Sequence, residues 1–367
     1  MSYLKSCSGA VFFALLLIFG CDTLLAAGGE DPSFIGSWRW DETAPAVDCS
    51  ENEALCLSKA EKGDAESAYA LAKSRMKSSE NIPFAFHWMC RAAENGHVAA
   101  LYYCGGMILA GRGTKADPSK GMAMMEKAAN NGLALAAYQT GYSYLEGRGV
   151  KQDPQIGFQY IKQAANSGFP QGLYALGGLY YQGTGTNQNR QLALNHFEKA
   201  GKLGHVDAQF QAALIYLLGL SKDGKNLQKS IYWMNKAAGE GHLKALAEMA
   251  LFYLRGRGVE QSYAKAFALN EKAANAGYPP AQFHLALHYY HGQGVEKDLA
   301  KCVTWIEKAA EAGDHDAQFL LGSFYEKGEG VEHNLKKSHY WYQEAAKRGN
   351  SNAQKALQRI ANQNSRE

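Results

Sequence analysis

The sequence predicts an all-α chain, an α-solenoid built from eight helix-turn-helix repeats, and two observations carry that expectation. Glycines fall at 63, 96, 132, 168, 204, 241, 277, 313 and 349, the first step being 33 residues, one step 37 and the other six 36. A period in the thirties with helical patterning means stacked helix pairs, each too small to fold alone and each burying its face against its neighbours. The 367 residues also contain 39 glycines but only eight prolines. That excess would be odd for one packed core, whereas regularly placed glycines are what repeated tight turns require.

The first residues follow a different logic. Lys5 precedes an almost wholly apolar run from Gly9 to Gly20, and the small residues Ala26, Ala27 and Gly28 follow. This predicts a secretory signal over 1–27, removed after export across the inner membrane. An irregular segment over 28–48 and a capping helix over 49–62 are expected next. Ile18-Phe19-Gly20-Cys21 resembles a bacterial lipobox, although Phe19 is bulkier than that motif normally takes. The expected location is therefore periplasmic or secreted, with a lipoprotein anchored through Cys21 as the alternative.

In an oxidising compartment cysteines can pair. Cys49 and Cys56, just ahead of the repeats, are expected to form a staple on the exposed first helix, with two free thiols as the other reading. Cys90 and Cys104 receive less weight as a pair, because one occupies a position that is polar in other repeats. Cys302 stands where other repeats carry Ala193, Ser230, Ala266 and Ser338, and reads as a small packing residue.

The unit that begins at Gly277 displays the parts of a repeat. Pro280-Ala281-Gln282 opens a first helix, A, which carries Leu285, Ala286 and Tyr289 at helical spacing. It stops at Gly292-Gln293-Gly294, where two glycines permit a left-handed reversal. Asp298 can cap the second helix, B, which runs to Gly313. The boundaries read as 63–95, 96–131, 132–167, 168–203, 204–240, 241–276, 277–312 and 313–348, followed by a capping helix and tail over 350–367. Gly219-Leu220-Ser221 breaks the double-glycine rule in the unit with the extra residue, and Ser78 to Pro83 replaces the loop in the first.

These residues resemble the Sel1-like repeat family. The resemblance rests on Ala-x-x-x-Leu-Gly in helix A, Gly-x-Gly-Val in the loop, the following Asp, and Lys-Ala-Ala-x-x-Gly closing helix B, and it covers 63–349. A tetratricopeptide array, to which that family is related, would show 34-residue spacing without the double glycine. The resemblance implies a right-handed superhelix and adaptor functions in bacteria: envelope assembly, signalling and, in some pathogens, contact with host cells.

A small residue ten places into each unit (Gly141, Gly177, Gly322, Ala213, Ala250, Ala286) is expected to let helix A approach helix B. Tyr144, Tyr180, Tyr216, Tyr253, Tyr289 and Tyr325 and the tryptophans 88, 233, 305 and 341 read as core rings. The eighth, twelfth and fifteenth places differ freely between units, as if packing did not dictate them. They include Tyr103 and Met107; Gln139 and Glu146; Glu248, Phe252 and Arg255; His284, His288 and His291; and Leu320, Phe324 and Lys327. At 100° per residue the three places lie within about 60° of one another, which predicts one outward stripe along a concave groove. A protein or peptide partner is expected there, with Phe252 and Phe324 as anchors. Replacing Phe252, His288 and Phe324 by Ser is then expected to spare the fold, and replacing Tyr253 and Tyr289 to damage it.

Lys plus Arg number 38 against 35 Asp plus Glu, which gives no basic field for nucleic acid. The reading is a non-enzymatic, monomeric scaffold with no cofactor and no metal. His284 and His288 have the i, i+4 spacing that can grip one ion but lack a third strong ligand, so they read as groove histidines. The alternative is a β-lactamase-like or penicillin-binding hydrolase, as described for cysteine-rich relatives. Ser74-Arg75-Met76-Lys77 and Ser262-Tyr263-Ala264-Lys265 match Ser-x-x-Lys, but no Ser-Asp-Asn or Lys-Thr-Gly accompanies them.

Overall fold

The computed structural model describes residues 47–49, 52–76, 78–222 and 224–364. The expected signal over 1–27, the Cys21 lipobox and the 28–46 stretch lie outside them. Among the described residues every regular element is helical. They run α1 (Glu53–Glu61), α2 (Ala65–Arg75), α3 (Ile82–Glu94), α4 (Val98–Ala110), α5 (Pro118–Asn130), α6 (Ala134–Glu146), α7 (Pro154–Asn166), α8 (Pro170–Gln182) and α9 (Arg190–Lys202). The series continues with α10 (Val206–Leu218), α11 (Leu227–Gly239), α12 (Leu243–Arg255), α13 (Tyr263–Asn275), α14 (Pro279–His291), α15 (Leu299–Glu311), α16 (His315–Lys327), α17 (Leu335–Lys347) and α18 (Ser351–Asn364). From α2 to α17 the even-numbered helices are A helices and the odd-numbered ones B helices. A short 3-10 turn at Ser79–Asn81 stands where the first repeat lacks its glycines. The chain divides into two compact units, residues 1–205 and 206–367, and each is a stack of antiparallel helix pairs.

The A-to-B connection repeats atom for atom. The amide of the residue capping helix B donates to the carbonyl thirteen places into the repeat: Asp153 to Tyr144, Asn189 to Tyr180, Ser262 to Tyr253, Asp298 to Tyr289 and Asn334 to Tyr325. The capping side chain then accepts the amide three residues on, as Asp153 does from Ile156 and Asn334 from Lys337. Each such cap contributes about 1 kcal/mol. The variant loop keeps the same closure, Asn226 donating to Tyr216, so its extra residue is absorbed before the cap.

The two loop glycines have separate reasons. The first ends helix A in the left-handed region, as at Gly147 with φ 75. The second also has positive φ and in addition lies against the preceding B helix. A Cβ added to Gly185 would land on the Pro154 carbonyl, and one on Gly294 on the Tyr263 carbonyl. Gly149 has φ +71, and an added Cβ would sit 2.8 Å from Leu109 Cδ1. Gly149→Val should therefore cost on the order of 1 kcal/mol or more. Thermal melting checks it, and an unchanged midpoint would remove the assigned role of this loop.

The small tenth residue acts as the sequence suggests. An added Cβ at Gly141 would be 2.7 Å from Ile161 Cγ1, at Gly177 2.7 Å from Phe197 Cε1, and at Gly322 2.7 Å from Tyr342 Cδ1. Glycine here is a matter of close helix approach rather than backbone freedom. The thirteenth-place tyrosines lie at the A–B seam. In the second unit each carries a lysine ammonium from helix B over its ring: Lys229 on Tyr216, Lys265 on Tyr253, Lys301 on Tyr289 and Lys337 on Tyr325, 4.9–5.4 Å from the centroids. The first unit has Ile156 and Leu192 at that place in two of its repeats, 40% and 37% exposed.

Successive repeats are joined by a second set of rings. Tyr69 stacks on His97 at 4.1 Å and Tyr174 on His205 at 4.4 Å in the first unit; Phe210 stacks on His242 at 4.4 Å in the second. His97 and His242 also accept the amides of Ala100 and Ala245 through Nδ1, so one imidazole caps its own helix and packs on the previous one. The sulfurs of Cys49 and Cys56 are at bonding distance, as are those of Cys90 and Cys104, with Cα separations of 5.8 and 5.1 Å. The second pairing corrects the lower weight given to it: the polar-looking place of Cys90 in α3 faces Cys104 in α4. Cys302 is free and buried, and burial pushes its thiol up to about 12. Among the described residues no helix is long and apolar enough to cross a membrane.

Candidate partner-binding face

The three variable places do not behave alike. Place fifteen is open: Arg255, His291 and Lys327 are exposed, while Glu146 is half-buried. Gln139, Glu248, His284 and Leu320, at place eight, are half-buried. Tyr103 at place eight and Met107 at place twelve are buried, as are Phe252, His288 and Phe324 at place twelve, at 3%, 1% and 1% exposure. The expected outward stripe is therefore corrected at those five residues. Phe252 and Phe324 cannot be surface anchors, and the expectation that the triple Ser replacement spares the fold is withdrawn.

The reason is that a stacked A helix has two packed sides. Place ten faces its own B helix, and place twelve faces the preceding repeat. His288 lies edge-on to Phe267 of α13 at 5.7 Å, and its Nε2 is 3.2 Å from Asn270 Nδ2 on the same helix. Its Nδ1 is 2.6 Å from the carbonyl of Gln293. The carbonyl can only accept, so the tautomer that fits carries the proton on Nδ1 and accepts from Asn270 at Nε2. Both ring nitrogens are thereby engaged within the core. Phe324 stacks on Tyr290 of α14 at 5.8 Å, and Tyr103 on Tyr69 of α2 at 6.2 Å. Tyr289 is buried, as expected of its place, but Tyr253 is half-buried beneath Lys265.

What remains open in the second unit is a row of polar side chains along adjacent A helices. Burial raises the Glu248 carboxyl above its usual range against the opposing pull of Arg255 and Arg257. Burial, with His288 and Arg255 adding to it, lowers His284 to about 4, which makes it a neutral imidazole at neutral pH. Tyr278 is pushed up to about 12 by burial and by Glu248 and Asp314. Glu248 and His284 are partly open to water yet flanked by protein on most sides. Arg257 lies with its guanidinium 5.7 Å from the Phe252 ring.

The first unit presents different chemistry on its A helices. Tyr138 and Tyr142 meet edge to face at 4.9 Å, and Tyr138 also meets Phe169 at 5.7 Å. Burial holds both phenols above their ordinary value. Glu146 is raised by burial although Arg148 pairs with it. Tyr138, Tyr142, Arg148, Tyr278 and Arg257 were not singled out from the sequence. Only their variability between repeats, at places two, seven and eleven and in the middle of the loop, could have signalled them. In this unit a cleft of about 550 Å³ is lined by Met122, Glu126, Tyr144, Val150, Asp153 and Ile156 among others. There the Tyr144 hydroxyl donates to Glu126 at 2.6 Å.

The serines of both Ser-x-x-Lys matches are held in helix hydrogen bonds, and Lys77 of the first match lies outside the described residues. Ser74 donates its hydroxyl to the Leu71 carbonyl at 2.9 Å. Ser262 caps α13, accepting the Lys265 amide at 3.3 Å, and the Lys265 ammonium lies over Tyr253. Among the described residues no three His, Cys, Asp or Glu side chains converge as a metal site would need.

Stacked helix pairs with variable open places on their A helices define a repeat solenoid of the scaffold class. The Sel1 repeat profile matches eight consecutive segments, 65–97, 98–133, 134–169, 170–205, 206–242, 243–278, 279–314 and 315–350, and the chain belongs to the Sel1-repeat family. Proteins of this family are protein-interaction scaffolds. Among solved structures, a protective antigen present in uropathogenic Escherichia coli strains, displaying an SLR fold, is similar at 31% identity and a TM-score of 0.78. The match covers 83% of this chain and 66% of the antigen, so the chain spans just under two thirds of that relative. A Sel1 repeat protein from Oxalobacter formigenes is similar at 30% identity and a TM-score of 0.68, covering 83% of this chain and 89% of that one. No curated protein matches.

Proposed function

We propose that the chain is an exported, monomeric, non-enzymatic scaffold that binds a protein segment along the A-helix face. The observation that carries the reading is the state of Glu248 and His284: titratable groups held half-buried, with shifted proton affinities, at places packing does not require. Retaining such groups opposes stability, and they are characteristic of surfaces that recognise a ligand. The two cysteine pairs support an oxidising compartment. The likeness to a protective antigen favours host contact over envelope assembly or signalling as the setting. The hydrolase alternative draws no support from Ser74 or Ser262, whose hydroxyls are occupied in helix geometry.

Photo-crosslinking amino acids introduced singly at Gln139, Glu248 and Leu320, and at Leu203 and Tyr340 as exposed controls outside the A helices, test the proposal in living cells. Adducts to one protein are expected from the A-helix positions and not from the controls. Adducts confined to Leu203 or Tyr340 would overturn the assignment of the face.

A further inference from the structure

At the seam between the seventh and eighth repeats three side chains meet. Tyr325 donates its hydroxyl to Glu307 at 3.2 Å, and the Lys337 ammonium lies 4.9 Å from the centre of the Tyr325 ring. The same places hold Glu271, Tyr289 and Lys301 one repeat earlier, with the ammonium 5.4 Å from the ring centre. In the first unit Glu126 and Tyr144 reproduce the first two members, the hydroxyl donating at 2.6 Å. The hydrogen bond to that carboxylate is the main cause that pushes the Tyr144 phenol up to about 12, so it stays a donor at neutral pH. The third member differs: Ile156 stands where the eighth repeat has Lys337, and it is 40% exposed.

The cleft of about 550 Å³ opens at this point. Glu126, Tyr144 and Ile156 all line it, with Met122 and Val150 as further apolar wall. Both Glu126 and Tyr144 are half-buried. Among the described residues no ion pair within 4.0 Å includes Glu126 or the neighbouring Lys151. The next repeat also has an apolar residue, Leu192, in place of the lysine, but there Lys162 stands at the carboxylate place. A cation beside Tyr180 would therefore meet a like charge. The combination of carboxylate, tyrosine and substituted lysine occurs in one repeat, and the cleft lies there.

The chain's own repeats identify the group that fits. A carboxylate beside an aromatic ring attracts a cation both by its charge and through the ring quadrupole. A lysine supplies the cation on an aliphatic stem that can lie along apolar surface while the ammonium stays near water. The cleft falls within the about 300–1,000 Å³ of ordinary ligand pockets, large enough for such a side chain and the backbone that carries it. We propose that this cleft receives a lysine side chain of a protein partner, its ammonium taking beside Glu126 and Tyr144 the place that Lys337 takes beside Glu307 and Tyr325. Tyr144 is five residues after Gln139, about 140° round α6. The cleft is thus a second binding surface, and it does not rest on the A-helix reading above.

The test follows the Met122 methyl signal of the full chain by NMR at low salt while the peptide acetyl-Gly-Ala-Lys-Ala-Gly-amide is added. Peptides with norleucine or arginine in place of the lysine probe the rival chemistries. One side chain binds weakly, so the titration runs into the millimolar range. A saturable shift is expected with lysine, none with norleucine, and weaker binding with arginine, whose planar fork does not match a site shaped for an ammonium. Glu126→Gln should weaken the lysine peptide about threefold or more. Ile156→Lys should put the chain's own ammonium over Tyr144 and abolish the shift while melting like the parent, and Ile156→Leu should bind as the parent does. No saturable shift with the lysine peptide, an equal response to norleucine or arginine, or full binding by a folded Ile156→Lys would each overturn the proposal. Should Ile156→Lys fail to fold, Glu126→Gln decides, since unchanged affinity there contradicts the proposal as well.

Discussion

Phe324→Ala is expected to destabilise the second unit by about 3–5 kcal/mol, the usual cost of truncating a buried aromatic ring. The ring is 1% exposed and stacks on Tyr290 of the preceding A helix, so the substitution opens a cavity between two repeats. It also removes a contact on which stacking depends. In a quasi-one-dimensional array stability is a sum of repeat and interface contributions. The loss should therefore appear as an earlier-melting phase and as faster amide exchange in α14 and α16. Lys327→Ala, three residues on and exposed, should shift stability by no more than about 0.5 kcal/mol. Equal effects from the two substitutions would mean that place twelve is not a packing position.

Replacing Cys90 and Cys104 together by Ala should cost about 3 kcal/mol, as expected for a bridge closing a short loop. Fourteen residues separate the two, and the bridge ties the B helix of the first repeat to the A helix of the second. The first repeat lacks the double-glycine loop that six of the other seven carry, and the bridge holds it to the second repeat. Circular dichroism melting with and without reductant checks the effect. Reductant should lower the first melting transition of the parent chain by more than that of the Ala pair variant, which keeps the Cys49–Cys56 bridge. Reductant insensitivity of the parent would show that the bridge contributes nothing in solution.

The repeat register, the loop glycines and the small tenth residue could be read from the sequence because each is fixed by a local requirement. Gly149 needs positive φ, Gly177 must clear Phe197, and Asp298 must cap its helix. These recur at constant spacing whatever the neighbouring repeat contains. Place twelve was misread because it answers to a partner that also changes. His288 matches Asn270, and Phe324 matches Tyr290, so variation there reflects matched packing rather than freedom from packing. Cys90 was undervalued for the same reason, since its partner lies in the next repeat.

The candidate site was legible at places eight and fifteen, where Glu248, His284, Arg255 and Lys327 remain open or half-open. It was not legible at Tyr142, Tyr278 or Arg257, which reach the same faces from places the repeat pattern does not mark. The lysines over Tyr216, Tyr253, Tyr289 and Tyr325 were equally hidden. They follow the 36-residue period, but only the fold places the lysine of helix B above the ring of helix A.

The most direct test of recognition on the A-helix face is melting and partner capture measured together on one triple variant, Glu248→Ala, Arg255→Ala and Leu320→Ser. Its three sites lie at places eight and fifteen, open or half-open, in α12 and α16. The expected result is a melting curve close to the parent's with crosslinking from His284 reduced at least about tenfold. A variant that melts like the parent and captures the same protein at full yield would contradict recognition through this face.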